Sequence, residues 1–297
     1  MSTPAAQAVG AKAGGETHDL AHRPAGREGL VYRHRLPTRL WHWLNALAAL
    51  VLLMSGLMIF NAHPRLYWGQ YGANFDQAWL QIGSTPTKGF VQIGRARVDT
   101  TGVLGRWTDP RGRAQALAFP YWATIPSAYD LAAARRWHLA FAWVLVIGLI
   151  AFWLASLANR HLQGDLAPRG SELSPRHILN DIRQHARLRF AAGEAALRYN
   201  ILQKLSYLAV IFVLIPLMVL SGLGMSPAID AGWPWIVDLF GGRQSARSIH
   251  FIAAMLLLFF VLVHLVMVIL AGPFNEVRSM VTGHFRPPAE RKRRPAP

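Results

Sequence analysis

Cysteine is absent from this chain of 297 residues, and acidic residues are scarce, with 15 Asp and Glu against 31 Lys and Arg. Without a thiol the chain cannot form disulfides, thiolate metal sites, iron–sulfur clusters or covalently attached c-type haem. Charge is absent altogether from four long stretches, which contain no Asp, Glu, Lys or Arg. Among the residue types that commonly bind metals through an imidazole, carboxylate or thiolate, these stretches contain only histidine, at four positions.

The four uncharged stretches cover residues 40–60, 137–158, 205–225 and 248–271, and each is close to the length of a membrane-spanning helix. A chain with 53% hydrophobic and 15% charged residues is also compatible with a large soluble domain. Few buried core helices, however, are this long and this free of charge. The pattern therefore predicts an all-α integral membrane protein built as a bundle of four helices.

Basic residues lie between and outside these stretches rather than on one amphipathic face, which argues against nucleic-acid binding. Residues 1–39 carry six Lys and Arg, residues 159–204 carry eight and the tail after residue 271 carries six, whereas residues 226–246 carry only one. The positive-inside rule then places both termini and the middle connection in the cytoplasm. The predicted localisation is the bacterial inner membrane, with residues 61–130 outside.

Three segments follow from this pattern. Residues 1–30, rich in Ala, Gly and charge, are predicted to be a disordered cytoplasmic tail, residues 31–285 the membrane domain and residues 286–297 a basic cytoplasmic tail. The connection 61–130 is rich in Trp, Tyr, Gly and Pro. We expect it to form an ordered extracytoplasmic cap of turns and short elements; a mobile loop is the alternative, which the aromatic residues disfavour.

A weak internal repeat relates the two halves of the membrane domain. M-S-G-L at 54–57, followed later by R-R-W-H-L-A-F-A-W, recurs as L-S-G-L at 220–223, followed by A-R-S-I-H-F-I-A-A. The repeat indicates a duplicated helical hairpin. Leu208 takes the place of one histidine and Phe152 that of another, so each half keeps two histidines in an unequal arrangement.

Four of the 12 histidines lie within the uncharged stretches, namely His42, His138, His250 and His264; the other eight lie outside and are expected to be solvated. His250 and His264 share the fourth stretch, and a separation of fourteen residues puts both imidazoles on one helix face, about 21 Å apart along the axis. Ionisable groups at membrane depth are costly and usually functional. Threading the four spans pairs His138 with His250 near the outer face and His42 with His264 near the inner face.

Two bis-imidazole sites fit b-type haem, whose iron takes two axial imidazoles, whereas zinc needs three or four ligands per site. We therefore predict two haems b, with the four histidines as iron ligands. For any single histidine the alternative is a polar contact between helices. Four arginines near helix ends are candidates to pair with haem propionates, with snorkelling as the alternative: Arg39, Arg135, Arg136 and Arg247.

The chain resembles the four-helix b-type cytochrome subunits of membrane-bound respiratory oxidoreductases, the group of the Ni/Fe-hydrogenase cytochrome b, formate dehydrogenase gamma and thiosulfate reductase cytochrome b. The resemblance covers about residues 31–285. It rests on R-L-W-H-W-L-N around the first histidine, on the histidine at the start of the second span, on the two histidines of the fourth span, and on G-P-F-N-E-V-R-S-M-V-T-G at Gly272–Gly283. It implies two haems b and a quinone site near the inner haem. The first connection, 61–130, is longer than in the simplest relatives, which implies a more elaborate contact with an external partner.

Polar residues on the inner side are candidates for the quinone site, with ordinary interfacial roles as the alternative: Asn45, Asn200, Gln203, Lys204 and Tyr207. The sequence contains no nucleophile–base pair and no phosphate loop, so the chemistry belongs to cofactors. The predicted function is electron transfer between a quinone pool and an extracytoplasmic redox subunit, a molybdopterin or iron–sulfur protein. A stand-alone quinol oxidase and a haem-free transporter with histidine ligands remain alternatives.

Overall fold

The computed structural model describes residues 24–25, 29–158, 168, 170, 172–187 and 200–287. Most of this part of the chain is helical. Its helices are α1 (Leu36–Phe60), α2 (Leu131–Ala158), α3 (Pro175–Ala186), α4 (Ile201–Ala209), α5 (Ile215–Gly224), α6 (Pro227–Gly232), α7 (Trp235–Leu239), α8 (Arg243–Ala271) and α9 (Pro273–Thr282).

Among the described residues, four helices are long and apolar enough to cross a membrane, which agrees with the predicted number of spans. They are α1, α2, the segment Ile201–Gly224 that contains α4 and α5, and α8. Each begins four to six residues before the uncharged stretch that predicted it, because helical backbone continues into the polar and basic residues at the interface. These additional turns carry arginines such as Arg39 and Arg247 within the helices.

The third span is irregular in its middle. Between α4 and α5, residues Val210–Leu214 form a π-helical turn, in which the backbone N–H of Ile215 donates to the carbonyl of Val210. Pro216 follows directly and has no N–H to donate. A proline inside a helix disturbs the backbone hydrogen bonds around it, and here the disturbance takes the form of a wide turn just before the proline.

The spans are arranged as two hairpins. α1 packs along α2, and α5 packs along α8, whereas close backbone approaches between the two hairpins are few. In the first hairpin Trp41 lies directly over Gly148, where an added Cβ would stand only 1.9 Å from the indole ring, and Trp41 also stacks on Phe152. The hairpins are therefore connected across their interface mainly by side chains.

The connection 61–130 forms a cap that contains β-structure. The strands of the described residues are β1 (Pro24–Ala25), β2 (Leu30–Tyr32), β3 (Arg65–Leu66), β4 (Leu80–Ser84), β5 (Gly89–Ile93), β6 (Ala96–Asp99), β7 (Trp107–Thr108), β8 (Ala114–Gln115) and β9 (His284–Phe285). In the cap, β3-β4-β5-β6 form an antiparallel sheet and β7-β8 a hairpin.

The all-α prediction is thus correct for the spans and wrong for the cap. The cap strands are only two to five residues long, too short for a strong alternating pattern. One signal was available in the sequence. Ile93 pairs with Ala96 across a two-residue turn that begins at Gly94, whose φ of +57° suits glycine, and a glycine in such a turn is typical of a β-hairpin.

The cap is packed onto the ends of α1 and α8. Phe60 of α1 and Phe251 of α8 stack with ring centroids 4.8 Å apart, and Phe60 lies in one apolar core with Leu66 and Ile82 of the sheet. The buried side chain of Asn61 bonds the backbone of Phe119 in both directions, donating to its carbonyl at 3.1 Å and accepting from its N–H at 2.7 Å. We call this side of the bundle the cap end.

The opposite side, which we call the terminal end, is held together by the two ends of the membrane domain. β2 pairs with both β1 and β9, so Pro24, Ala25 and Leu30 lie in strands although the predicted tail included them. Arg39 and Trp43 of α1 donate to backbone carbonyls of α9. The other residues of the two predicted tails, apart from Gly29 and residues 286–287, lie outside the described residues.

Candidate metal centres between the hairpins

The four histidines of the spans form two pairs, and each pair bridges the two hairpins. At the cap end, His138 of α2 faces His250 of α8 with ring centroids 6.3 Å apart and ring planes at 57°. At the terminal end, His42 of α1 faces His264 of α8 with centroids 6.3 Å apart and planes at 56°. These are the pairs that depth in the sequence predicts, and α8 contributes to both.

The spacing within each pair fits a single metal ion. An imidazole nitrogen binds a metal at about 2 Å, and the ring centre lies about 1 Å further away, so two imidazoles on opposite sides of one ion have centres about 6 Å apart. Both pairs are at 6.3 Å. Two independent pairs therefore have the separation of axial ligands.

The number of protein ligands discriminates between metals. Among the described residues, no three His, Cys, Asp or Glu side chains converge on a point where they could hold a metal ion. A tetrahedral zinc site needs three or four such ligands, whereas haem iron needs only the two axial ones from the protein. The donor set thus fits haem and not zinc.

A serine holds the imidazole of His138 from the neighbouring helix. Ser55 Oγ lies 2.6 Å from the carbonyl oxygen of Val51 and 3.0 Å from His138 Nδ1. The hydroxyl has a single proton, which it donates to that carbonyl, so its oxygen accepts from Nδ1–H of the histidine. Nε2 is then the unprotonated nitrogen, which is the one able to bind a metal.

The same arrangement occurs in the second hairpin. Ser221 Oγ lies 2.6 Å from the carbonyl oxygen of Leu217 and 3.1 Å from His250 Nδ1. The carbonyl of Met218 lies 3.1 Å from the same nitrogen. Because a carbonyl can only accept, Nδ1 of His250 carries the proton and Nε2 is free.

A glycine beside each serine allows the ring to approach. A Cβ added at Gly56 would stand 3.3 Å from Cε1 of His138, and one added at Gly222 would stand 3.4 Å from Cε1 of His250. The repeated S-G step of the sequence therefore has one role in both hairpins. The serine orients the imidazole of the partner helix, and the glycine leaves room for it.

At the terminal-end pair, no serine among the described residues hydrogen-bonds to either imidazole. His42 Nδ1 is buried without a hydrogen-bond partner among the described residues, and the same holds for Asn45 Oδ1 and Arg39 Nε on the same helix. The edge of Trp43 meets the His42 ring, and Phe260 stacks on His264. Unsatisfied buried polar atoms are rare in proteins and indicate a missing partner. A group with hydrogen-bonding atoms would fit here.

The four predicted propionate arginines divide into two classes. Arg135 and Arg136 are exposed at the start of α2. Arg39 donates to the carbonyl of Val281, and Arg247 donates to the carbonyl of His63. The guanidinium groups of Arg39 and Arg247 are thus fixed one turn before the histidines of α1 and α8.

The five predicted quinone residues all take part in interactions within the fold. Asn200 and Gln203 form a reciprocal capping box at the start of α4. Lys204, with a side chain only 11% exposed, lies 2.9 Å from a carboxylate oxygen of Glu172. Tyr207 lies half-buried on the same helix. Asn45 donates to the carbonyl of Trp41 at 2.8 Å, while its Oδ1 has no hydrogen-bond partner among the described residues.

Two histidines outside the spans are less solvated than the sequence predicts. Burial, followed by the nearby charge of Arg33, lowers the pKa of His34 to about 4. Burial also lowers the pKa of His63, with contributions from Arg247 and Arg65. Neither residue is part of an apolar run, so no sequence pattern marks its environment.

The model of the prokaryotic cytochrome b561 family matches residues 33–283. The chain belongs to this family. It is therefore a bacterial membrane cytochrome of the b type, which binds haem and takes part in electron transport. The predicted resemblance to b-type cytochrome subunits is confirmed.

Two curated relatives match this cytochrome over most of their length. A putative protein-methionine-sulfoxide reductase subunit YedZ1 of Azospira oryzae is 26% identical over 246 residues, which cover 83% of this chain and 93% of the relative. A probable Ni/Fe-hydrogenase B-type cytochrome subunit of Cupriavidus necator is 24% identical over 264 residues, 86% of each chain. No solved structure matches the chain at a significant level.

Proposed function

We propose that this cytochrome binds two haems b and carries electrons between a quinone pool and an extracytoplasmic redox subunit. His138 and His250 ligate the haem at the cap end, and His42 and His264 ligate the haem at the terminal end. The observation that carries this proposal is the equal centroid separation of 6.3 Å in two histidine pairs that join opposite hairpins.

The chain's own residues hold and orient the cofactors. Haem b supplies one-electron redox chemistry when it is bound. The four imidazoles would bind the haem irons, and Arg39 and Arg247 would pair with propionates, since an arginine suits a carboxylate. Arg135 and Arg136, which are exposed, fit this role less well.

The basic connections support an orientation with both termini in the cytoplasm of an inner-membrane protein. The cap then lies outside, where its sheet provides a platform for a partner. The names of the two relatives, a subunit of a methionine-sulfoxide reductase and a cytochrome subunit of a hydrogenase, favour a redox enzyme as that partner. We infer a molybdopterin or iron–sulfur protein.

The quinone binds, in this proposal, at the terminal end. Asn45 is the favoured residue among the five candidates because its Oδ1 is buried one turn from His42 and has no hydrogen-bond partner in the part of the chain that the structure describes. Lys204 is the least favoured because its ammonium group already pairs with Glu172. Asn45→Ala should therefore slow quinol oxidation, and Lys204→Met should chiefly lower thermal stability. Haem reduction by dithionite should be unchanged in both variants.

The decisive experiment is a reduced-minus-oxidised spectrum together with the haem-to-protein ratio of the purified chain. We expect b-type bands and two haems in the wild type. His42→Ala and His250→Ala should each retain one haem, and the remaining haem should differ between the two variants. His177→Ala, at an exposed position on α3, is the matched control and should keep both haems.

A wild-type spectrum without b-type bands would contradict the proposal and favour a transporter that uses the histidines without haem. Retention of both haems in both ligand variants would contradict the assignment of the ligands. Purification from native membranes tests the partner separately. A co-purifying redox subunit supports the proposed role, and a chain that oxidises quinol without any subunit would make it a stand-alone quinol oxidase.

A further inference from the structure

We propose that Ser55 and Ser221 are positioning residues for the cap-end haem, and that their hydrogen bonds to His138 and His250 lower the midpoint potential of that haem relative to its value without them. This inference rests on the proposed function, because it requires haem between the two imidazoles. It concerns residues that do not touch the iron and act only through its ligands.

The direction of each hydrogen bond is fixed by neighbouring carbonyls. Each serine hydroxyl is 2.6 Å from the carbonyl four residues before it, so its proton is used there and its oxygen faces Nδ1 as an acceptor. The carbonyl of Met218, three residues before Ser221, is a second acceptor for Nδ1 of His250. Both imidazoles are therefore held as Nδ1–H tautomers.

Each imidazole of the cap-end pair is oriented by a serine of its own hairpin and not by the other hairpin. Ser55 lies on α1 and holds a ring of α2, and Ser221 lies on α5 and holds a ring of α8. When the hairpins associate, two Nε2 atoms already face the same site. The terminal-end pair has no equivalent, since His42 Nδ1 has no partner among the described residues.

The expected electronic effect has a definite sign. An acceptor at Nδ1–H raises the basicity of a metal-bound imidazole, and a more basic ligand favours the ferric over the ferrous state. The serines should therefore lower the potential of the cap-end haem. When one serine is removed, the other serine still accepts from its own imidazole, and the carbonyl of Met218 still accepts from His250. Each single variant should therefore raise the potential only moderately.

The test is a potentiometric titration of purified protein with two haems, for the wild type, Ser55→Ala, Ser221→Ala and the double variant. Each single variant should raise one of the two potentials by about 28–59 mV, which corresponds to a threefold to tenfold change for one electron. The double variant should raise the same potential further, and the other potential should stay constant. Ser156→Ala, which removes a buried serine near the other end of α2, is the control and should change neither.

Ser55→Thr and Ser221→Thr keep the hydroxyl and decide the result if the alanine variants lose haem. Threonine variants with the wild-type potential would support the inference, and threonine variants that also lose haem would overturn it. Alanine variants that retain both haems with unchanged potentials, or that shift both potentials equally, would overturn it as well. A wild type without haem would instead refute the proposed function, so the two failures are distinguishable.

Discussion

The histidine pairs at the cap end and at the terminal end of the bundle are held in place by different contacts. Both present two imidazoles at 6.3 Å, one from each hairpin. At the cap end each ring is held by a serine and approached by a glycine of its own hairpin. At the terminal end the rings lie against aromatic side chains, and several buried polar atoms have no partner among the described residues.

The difference follows from the repeat. The cap-end site uses corresponding positions of the two hairpins, so one S-G step per hairpin serves both ligands. The terminal-end site uses His42 from the first helix of one hairpin and His264 from the second helix of the other, whose counterparts are Leu208 and Phe152. The cap-end site is therefore ordered by the protein before cofactor binds. The terminal-end site depends more on what binds there.

The largest effect should come from removing one ligand and replacing it by free imidazole. His138→Gly and His42→Gly should each lose one haem completely. Added imidazole should restore the cap-end haem at about a fivefold lower concentration than the terminal-end haem, because Ser55 offers a hydrogen bond worth about 1 kcal/mol. The measurement is haem content against imidazole concentration, and equal midpoints for the two variants would remove the distinction between the ends.

Alanine substitution at two glycines should affect the two histidine sites separately, because each added methyl group meets a residue of only one site. Gly148→Ala forces a Cβ to within 1.9 Å of Trp41, next to His42, and overpacking of this kind costs about 1–3 kcal/mol. We expect a lower melting temperature and an altered spectrum of the terminal-end haem. Gly56→Ala should affect only the cap-end haem, since the new Cβ meets Cε1 of His138 at 3.3 Å.

Gly232→Ala serves as the control for these two variants. The position has open space around its Cβ and lies in α6 away from both pairs, so melting and spectrum should stay unchanged. If Gly56→Ala changed the terminal-end haem more than the cap-end haem, the assignment of this glycine to the cap-end site would be wrong.

Anchoring of the cap can be tested at Asn61. Asn61→Ala removes two hydrogen bonds to the backbone of Phe119 and leaves buried groups without partners, at a cost of about 1–3 kcal/mol. The cap should become more sensitive to limited proteolysis, with the terminal-end haem unaffected. Asn74→Ala, at an exposed position of the cap, should leave proteolysis as in the wild type.

Acid sensitivity should be the smallest effect, and it should be larger at the terminal end. The pKa of folded His34 is about 4, below its ordinary value of 6.5, so the unfolded state takes up a proton first as the pH falls. The stability that neutral His34 contributes is present above about pH 6.5 and is lost as the pH falls toward 4. His34→Gln should reduce this loss more than His63→Gln, and thermal unfolding at several pH values measures both.

A flat pH dependence between pH 7 and pH 4 in the wild type would contradict this account of His34. The variant His177→Gln provides the background, because this residue is exposed on α3.

The four spans and the pairing of the histidines could be predicted from the sequence because both depend on local properties. Length and lack of charge define a membrane helix, and helical periodicity with alternating direction assigns a depth to each histidine. The absence of cysteine and the scarcity of acids left imidazole as the ligand. None of these steps requires knowledge of which side chains meet.

Tertiary structure alone decided the contacts between distant residues. Ser55 and His138 are 83 positions apart, so no local pattern links them, although the repeat placed an S-G step in both hairpins. The cap sheet escaped prediction because its strands are short and gain stability from packing on Phe60 and Phe251. Lys204 had the polarity of a quinone residue, but only the fold reveals Glu172 beside it. Local sequence sets where helices lie, whereas hydrogen bonds and ion pairs depend on how the helices pack.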